Sequence, residues 1–231
     1  MSLSTPSKPE KIGKFQRKLY RVAKEQPEFR FYSLYDKVYR EDILDFAYSV
    51  VKANRGGPGV DKETFTDIEE QGLTDWLKSL REELKEKTYE PSPLKRVEIE
   101  KETGGKRPLS IPTIKDRVVQ MAVKLVIEPV FEADLGDQAY GYRSNRSGTD
   151  AVQKVKNGLS KGYRHVVDAD VSGYFDNIPH DQLLSSVSKR IVDGSMLALI
   201  KAWNQFHKSK EFDAVLINYA DDCAPGNLSL G

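Results

Sequence analysis

Apolar residues recur every three or four positions along most of this chain, and that spacing predicts helices. Ile43, Leu44, Phe46, Ala47, Val50 and Val51 predict one helix after Glu41-Asp42, stopped abruptly by Gly56-Gly57-Pro58-Gly59. Leu73, Trp76, Leu77, Leu80 and Leu84 lie on one stripe of a second helix whose other face is acids and lysines, which makes it a core-facing stripe. Ile114, Val118, Met121, Ala122, Leu125 and Val126 predict a long third helix. Asp116-Arg117 sits in its first turns, where an acid suits the helix dipole, and the pattern breaks at Glu128-Pro129. Ala151, Val152, Val155 and Leu159 mark a fourth; Leu183, Leu184, Val187 and Ile191 a fifth; Met196, Leu197, Leu199, Ile200, Trp203 and Phe206 a sixth.

The period changes in three places. Lys95-Arg96-Val97-Glu98-Ile99-Glu100 alternates like a strand, and a Gly104-Gly105 tip and the run to Ile111-Pro112 complete a β-hairpin with cations on both arms. Val166, Val167, Ala169 and Val171 predict a half-buried strand that carries Asp168 and Asp170, and Phe212 to Asn218 predicts an apolar strand ending in Tyr219-Ala220-Asp221-Asp222. Unpaired charges on buried strands are costly, so these acids call for a cation or for a strand end. If the two strands lie side by side, three carboxylates converge, and oxygen-only ligands favour Mg²⁺, with Mn²⁺ possible as a substitute. Two such ions shared between carboxylates suit phosphoryl transfer, and the cationic hairpin would then clamp a triphosphate.

Composition narrows the classes. Hydrophobic residues make up 39% and charged residues 31% of 231, with a net charge of +1, so any nucleic-acid surface must be a local basic face. One cysteine and three histidines leave no internal disulfide and make a thiolate–imidazole zinc site an implausible reading. Met1 to Glu10 is rich in Ser, Pro and Lys and reads as a leader without a signal peptide's apolar core. With no apolar run of membrane-spanning length, a soluble, cytoplasmic protein is expected.

Seven ordered motifs run through the chain: Gly56 to Asp61, Gly104 to Pro112, Asp116 to Gln120, Glu128 to Glu132, Tyr140 to Arg143, Asp170 to Asp176 and Tyr219 to Asp222. Together they resemble the fingers and palm of bacterial group II intron reverse transcriptases. The resemblance implies an α+β right-hand polymerase fold, with helical fingers and a β-hairpin packed on a small antiparallel palm sheet. Residues 1–30 would be a disordered or partly helical leader, 31–160 fingers and 161–231 a partial palm, the thumb and maturase region being absent. The family's Gln-Gly-Gly segment is replaced by the short His207 to Glu211.

By the same resemblance Asp170, Asp221 and Asp222 are the catalytic carboxylates and, with the Val171 carbonyl, hold two Mg²⁺ ions. Lys101 and Arg107 hold the incoming triphosphate, and Phe175 stacks under the sugar and rejects a 2′-hydroxyl. Arg117, Tyr142, Arg143 and Arg146, together with the N-terminal helix, contact RNA by phosphate and stacking interactions and by shape more than by sequence. The implied partners are dNTP and either structured intron RNA or an RNA template with a DNA primer. A second reading of the same residues is an RNA-binding remnant without polymerase activity.

Overall fold

The computed structural model describes residues 6–100, 106–170 and 178–206. The elements are α1 (Glu10–Glu25), α2 (Tyr35–Val38), α3 (Glu41–Ala53), α4 (Phe65–Lys85), β1 (Lys95–Glu100), β2 (Lys106–Ile111), α5 (Ile114–Glu132), α6 (Gly148–Ser160), α7 (His180–Ser188) and α8 (Gly194–Phe206). Helices dominate, and the one sheet among the described residues is the antiparallel hairpin β1–β2, with Lys95 opposite Ile111 and Glu100 opposite Lys106. This is the α+β architecture of helical fingers with a β-hairpin that the motifs implied.

The centre of the core is α5, which packs against α1, α2 and α3. Its buried positions run around the whole circumference, from Ile114, Val118 and Val119 to Ala122, Val123, Val126 and Val130, as expected of a helix enclosed by others. Each large side chain so buried contributes about 1.5–3 kcal/mol.

The spacing predicted a break at Pro129, but α5 continues to Glu132. A proline inside a helix has no N–H for the carbonyl four residues earlier, which here belongs to Leu125. Gln16 of α1 fills that gap: its Nε2 donates to the Leu125 carbonyl at 2.8 Å. Lys8 Nζ in turn donates to Gln16 Oε1 at 2.7 Å. Helix α1 is therefore part of the core, with Ile12 and Ala23 fully covered.

Helix α7 ends at Ser188, before Ile191, which the apolar spacing placed on the same helix. Ile191 instead forms a parallel bridge with Phe31: the Phe31 N–H donates to the Arg190 carbonyl at 2.7 Å and the Val192 N–H to the Phe31 carbonyl at 2.8 Å. Arg190 caps the end of α1 through the carbonyls of Ala23 (2.9 Å) and Pro27, and pairs with Asp134 at 3.0 Å.

Asp193 joins two helix starts. Its Oδ2 accepts from the Leu34 and Tyr35 N–H groups at 2.7 and 2.8 Å, and its Oδ1 from Ser195 and Met196 at 3.1 and 3.2 Å. Burial alone would push this carboxyl up, but the four backbone donors outweigh it and hold the pKa below its ordinary value.

Candidate functional site

The hairpin and the beginning of α5 form one assembly. Thr113 caps α5, its side chain accepting from the Asp116 N–H at 3.1 Å. Asp116 is only 2% exposed and returns the favour three times over. Its Oδ2 accepts from Thr113 Oγ1 at 2.7 Å and from the Ser92 N–H at 3.1 Å, and its Oδ1 accepts from the Tyr89 hydroxyl at 2.6 Å. Burial raises the pKa of Asp116, against the lowering effect of those donors. Burial likewise pushes the Tyr89 phenol well above its ordinary range, next to the Asp116 charge.

Arg117, the next residue, turns the other way. Its guanidinium donates to the Gly57 carbonyl at 2.6 Å and lies 5.8 Å from the Phe65 ring, and the residue is 8% exposed. The Gly56-to-Gly59 turn is thereby pressed onto the foot of the hairpin. A Cβ on Gly59 would stand 2.7 Å from both Cα and N of Thr113, so only glycine fits. Arg117, expected to contact RNA, has its side chain engaged in holding this turn and enclosed by it.

The loop between α5 and α6 is built around Arg143. Its side chain is 5% exposed and binds Glu132 in a bidentate pair (Nη2–Oε1 2.7 Å) and the carbonyls of Gly136 (2.6 Å) and Ala139 (2.8 Å). Arg143, also expected on RNA, is in this structure the loop's internal clamp. Arg146 is anchored to Asp137 at 3.1 Å and lies over the Tyr140 ring. Tyr142 differs: it is 52% exposed and has φ of 58°, a left-handed backbone that is rare for a bulky residue and held here by the clamped loop.

Asp170 lies at the end of residues 163–170, which were expected to be a half-buried strand. In the structure they form no ladder among the described residues and are exposed, Val167 at 93%. Strand burial needs a paired neighbour and a covering layer, and the expected neighbour, Phe212 to Asn218, lies outside the described residues. Asp170 itself is exposed, and no described cation pairs with it. Val171, Phe175, Lys101, Asp221 and Asp222 lie outside the described residues, and of Arg107 only the backbone, paired with Ile99 in the hairpin, is described. Among the described residues no group of three possible metal ligands converges, and no helix is long and apolar enough to cross a membrane.

Helix α1 is the N-terminal helix that the resemblance assigned to template RNA. Arg17, Lys18 and Arg21 are exposed on it without an ion-pair partner among the described residues, whereas Lys14 pairs with Glu10 at 2.8 Å and Lys24 donates to the Ala133 carbonyl at 2.8 Å. The signal was present in the local run Lys11 to Lys24, masked by the near-zero net charge of the whole. Asp193 was missed although an acid just before the Gly194-Ser195 helix start could have marked it; Arg190 and Gln16 carry no local signal.

A cationic hairpin stapled to a helical body, followed by an exposed aspartate, suits a nucleotidyl-transferring polymerase. The family model described as Reverse transcriptase (RNA-dependent DNA polymerase) matches residues 99–215, and the chain belongs to that family. It is 34% identical to Protein YkfC of Escherichia coli (strain K12) over 93% of this chain and 57% of the relative. It is also 34% identical to the group II intron-encoded protein LtrA of Lactococcus lactis subsp. cremoris, over 74% of this chain and 28% of that protein. The chain thus spans little more than half of one relative and less than a third of the other. The intron-encoded relative agrees with the group II intron type read from the motifs. A solved Cas6-RT-Cas1--Cas2 complex is 22% identical over 74% of this chain and 17% of that chain, with a TM-score of 0.44. The family generally uses divalent metal ions.

Proposed function

We propose that this chain is the fingers and partial palm of an RNA-directed DNA polymerase of group II intron type, which adds deoxynucleotides to a primer 3′-hydroxyl on an RNA template. The observation that carries the reading is that one stretch matching the family, residues 99–215, holds the second arm of the cationic hairpin, the Thr113–Asp116 anchor and the exposed Asp170. Asp170 is a hard oxygen donor with no described cation beside it, which fits a divalent ion of the Mg²⁺ or Mn²⁺ type. Asp221, Asp222 and the Val171 carbonyl are the proposed co-ligands. Bound there, such ions would supply Lewis-acid activation of the attacking hydroxyl and neutralise the leaving pyrophosphate. Lys101 and Arg107 hold the triphosphate, and Phe175 excludes the 2′-hydroxyl. A single cysteine suits a cytoplasmic setting.

Purified protein with Mg²⁺, RNA template, DNA primer and dNTP is expected to extend the primer, and Asp170→Ala to abolish extension while leaving RNA binding intact. No extension by the wild-type chain would overturn the polymerase reading.

A second reading, an RNA-binding module without synthesis, is favoured by α1, where Arg17, Lys18 and Arg21, without an ion-pair partner among the described residues, form a basic face independent of Asp170. Tyr142, presented on its clamped loop, adds an exposed ring on which a base would stack. Tight, salt-sensitive RNA binding without extension would support this reading over the first.

A further inference from the structure

We infer that Asp116 is a positioning residue for nucleotide binding, acting as the common anchor of both legs of the β1–β2 hairpin. The inference rests on the polymerase reading, in which that hairpin carries the triphosphate-holding Lys101 and Arg107.

The geometry is specific. Ser92 precedes β1 and Thr113 follows β2, so the two ends of the hairpin lie on opposite sides of a six-pair ladder in which Lys95 faces Ile111. One carboxylate oxygen, Asp116 Oδ2, accepts from both: the Ser92 N–H at 3.1 Å and the Thr113 hydroxyl at 2.7 Å. The other oxygen accepts from the Tyr89 hydroxyl at 2.6 Å, and Trp203 Nε1 of α8 approaches that hydroxyl at 3.4 Å. The hairpin foot is thus tied through one buried group to α5 and α8.

An isolated two-stranded hairpin is marginally stable and does not fix its own direction. Most of β1 is exposed, so packing on the body contributes little to aiming it. Its direction is therefore set at the foot. A strand advances about 3.3 Å per residue, so the far end of β1 lies roughly 16 Å from Lys95, and a tilt of about 10° at the foot moves it by roughly 3 Å. Misplacement of a binding group by about 1 Å can cost on the order of a hundredfold in rate. A buried carboxylate is an expensive choice for a merely filling role. Its use here is explained by three donors that arrive from both sides of the hairpin, Tyr89 and Ser92 before β1 and Thr113 after β2, and need a single acceptor group.

The test uses the full chain and two variants. Asp116→Ala removes the acceptor oxygen on which both legs depend, the Ser92 leg included. Thr113→Val removes the hydroxyl of the other leg and leaves the carboxylate in place, which keeps the test available should the first variant not fold. In primer extension both are expected to raise KM for dNTP by about tenfold or more, with little change in primer–template affinity. Hydrogen exchange at the 95–100 and 106–111 amides is expected to quicken while α3 and α4 keep their protection. A fall in kcat with KM unchanged would overturn the inference and leave Asp116 as a stability residue, as would hairpin exchange that matches wild type. If the wild-type chain extends no primer, the polymerase reading fails on its own. Hairpin exchange in the variants then still decides whether Asp116 anchors both legs.

Discussion

The missing amide hydrogen of Pro129 shows how one residue recruits another far along the chain. The Leu125 carbonyl would be an orphaned buried acceptor, and Gln16, 109 positions earlier, supplies its donor. Sequence spacing marked the proline as a break because the compensating group belongs to a different helix. Gln16→Leu keeps the volume and helix propensity of the site but leaves the carbonyl unpaired. The variant is expected to be destabilised by about 1–3 kcal/mol in urea denaturation, with an unchanged m-value. Gln16→Glu is expected to be worse than Gln16→Leu near neutral pH, because an ionised carboxylate would face the same carbonyl oxygen.

Among the elements, the segment 190–193 joins distant parts of the chain, and its anchor is Asp193 between the starts of α2 and α8. Because its folded-state pKa lies below the ordinary 3.8, the unfolded chain binds the proton more tightly. The stabilisation is therefore complete at pH values above 3.8 and is lost as pH falls below 3.8 through the folded-state value. Asp193→Asn is expected to cost about 1–2 kcal/mol at neutral pH. That difference from wild type should shrink in denaturation measured below pH 3.8. A difference that stays constant with pH would remove the charge from the explanation.

The helices α3, α4, α5, α6 and α8 and the hairpin β1–β2 were legible, since their periods of 3.6 and 2 are local properties. Ile191 was misread because an apolar residue in a bridge and one on a helix look alike at that spacing. The Asp116-Arg117 pair was legible as a motif but not in its roles. Where the two side chains point depends on Ser92, Tyr89 and Gly57, which the fold alone brings near. The expected strand ending at Asp170 depends on a neighbour, not on its own residues, and apolar alternation alone says nothing of whether that neighbour is in place.

At the scale of the whole molecule, the balanced net charge of +1 conceals an uneven distribution. Helix α1 buries one side against α5, which fixes the opposite side toward solvent, and there Arg17, Lys18 and Arg21 find no acid among the described residues. Cations without intramolecular partners lose little on meeting phosphate, whereas Arg117 and Arg143 would first have to give up short bonds to carbonyl and carboxylate oxygens. The RNA affinity of this chain should therefore respond to α1 far more than to those two arginines. Replacing Arg17, Lys18 and Arg21 together with glutamine preserves helix propensity. Each phosphate contact on a single strand contributes about 0.7 to the slope of log affinity against log salt, so the triple variant should lower the slope by roughly 2. Fluorescence anisotropy with labelled RNA from about 50 to 200 mM salt measures this directly. Thermal unfolding should stay close to wild type, because none of the three side chains is part of the core. An unchanged slope would place the RNA on another face, and the exposed Tyr142 loop would then be the surface to vary next.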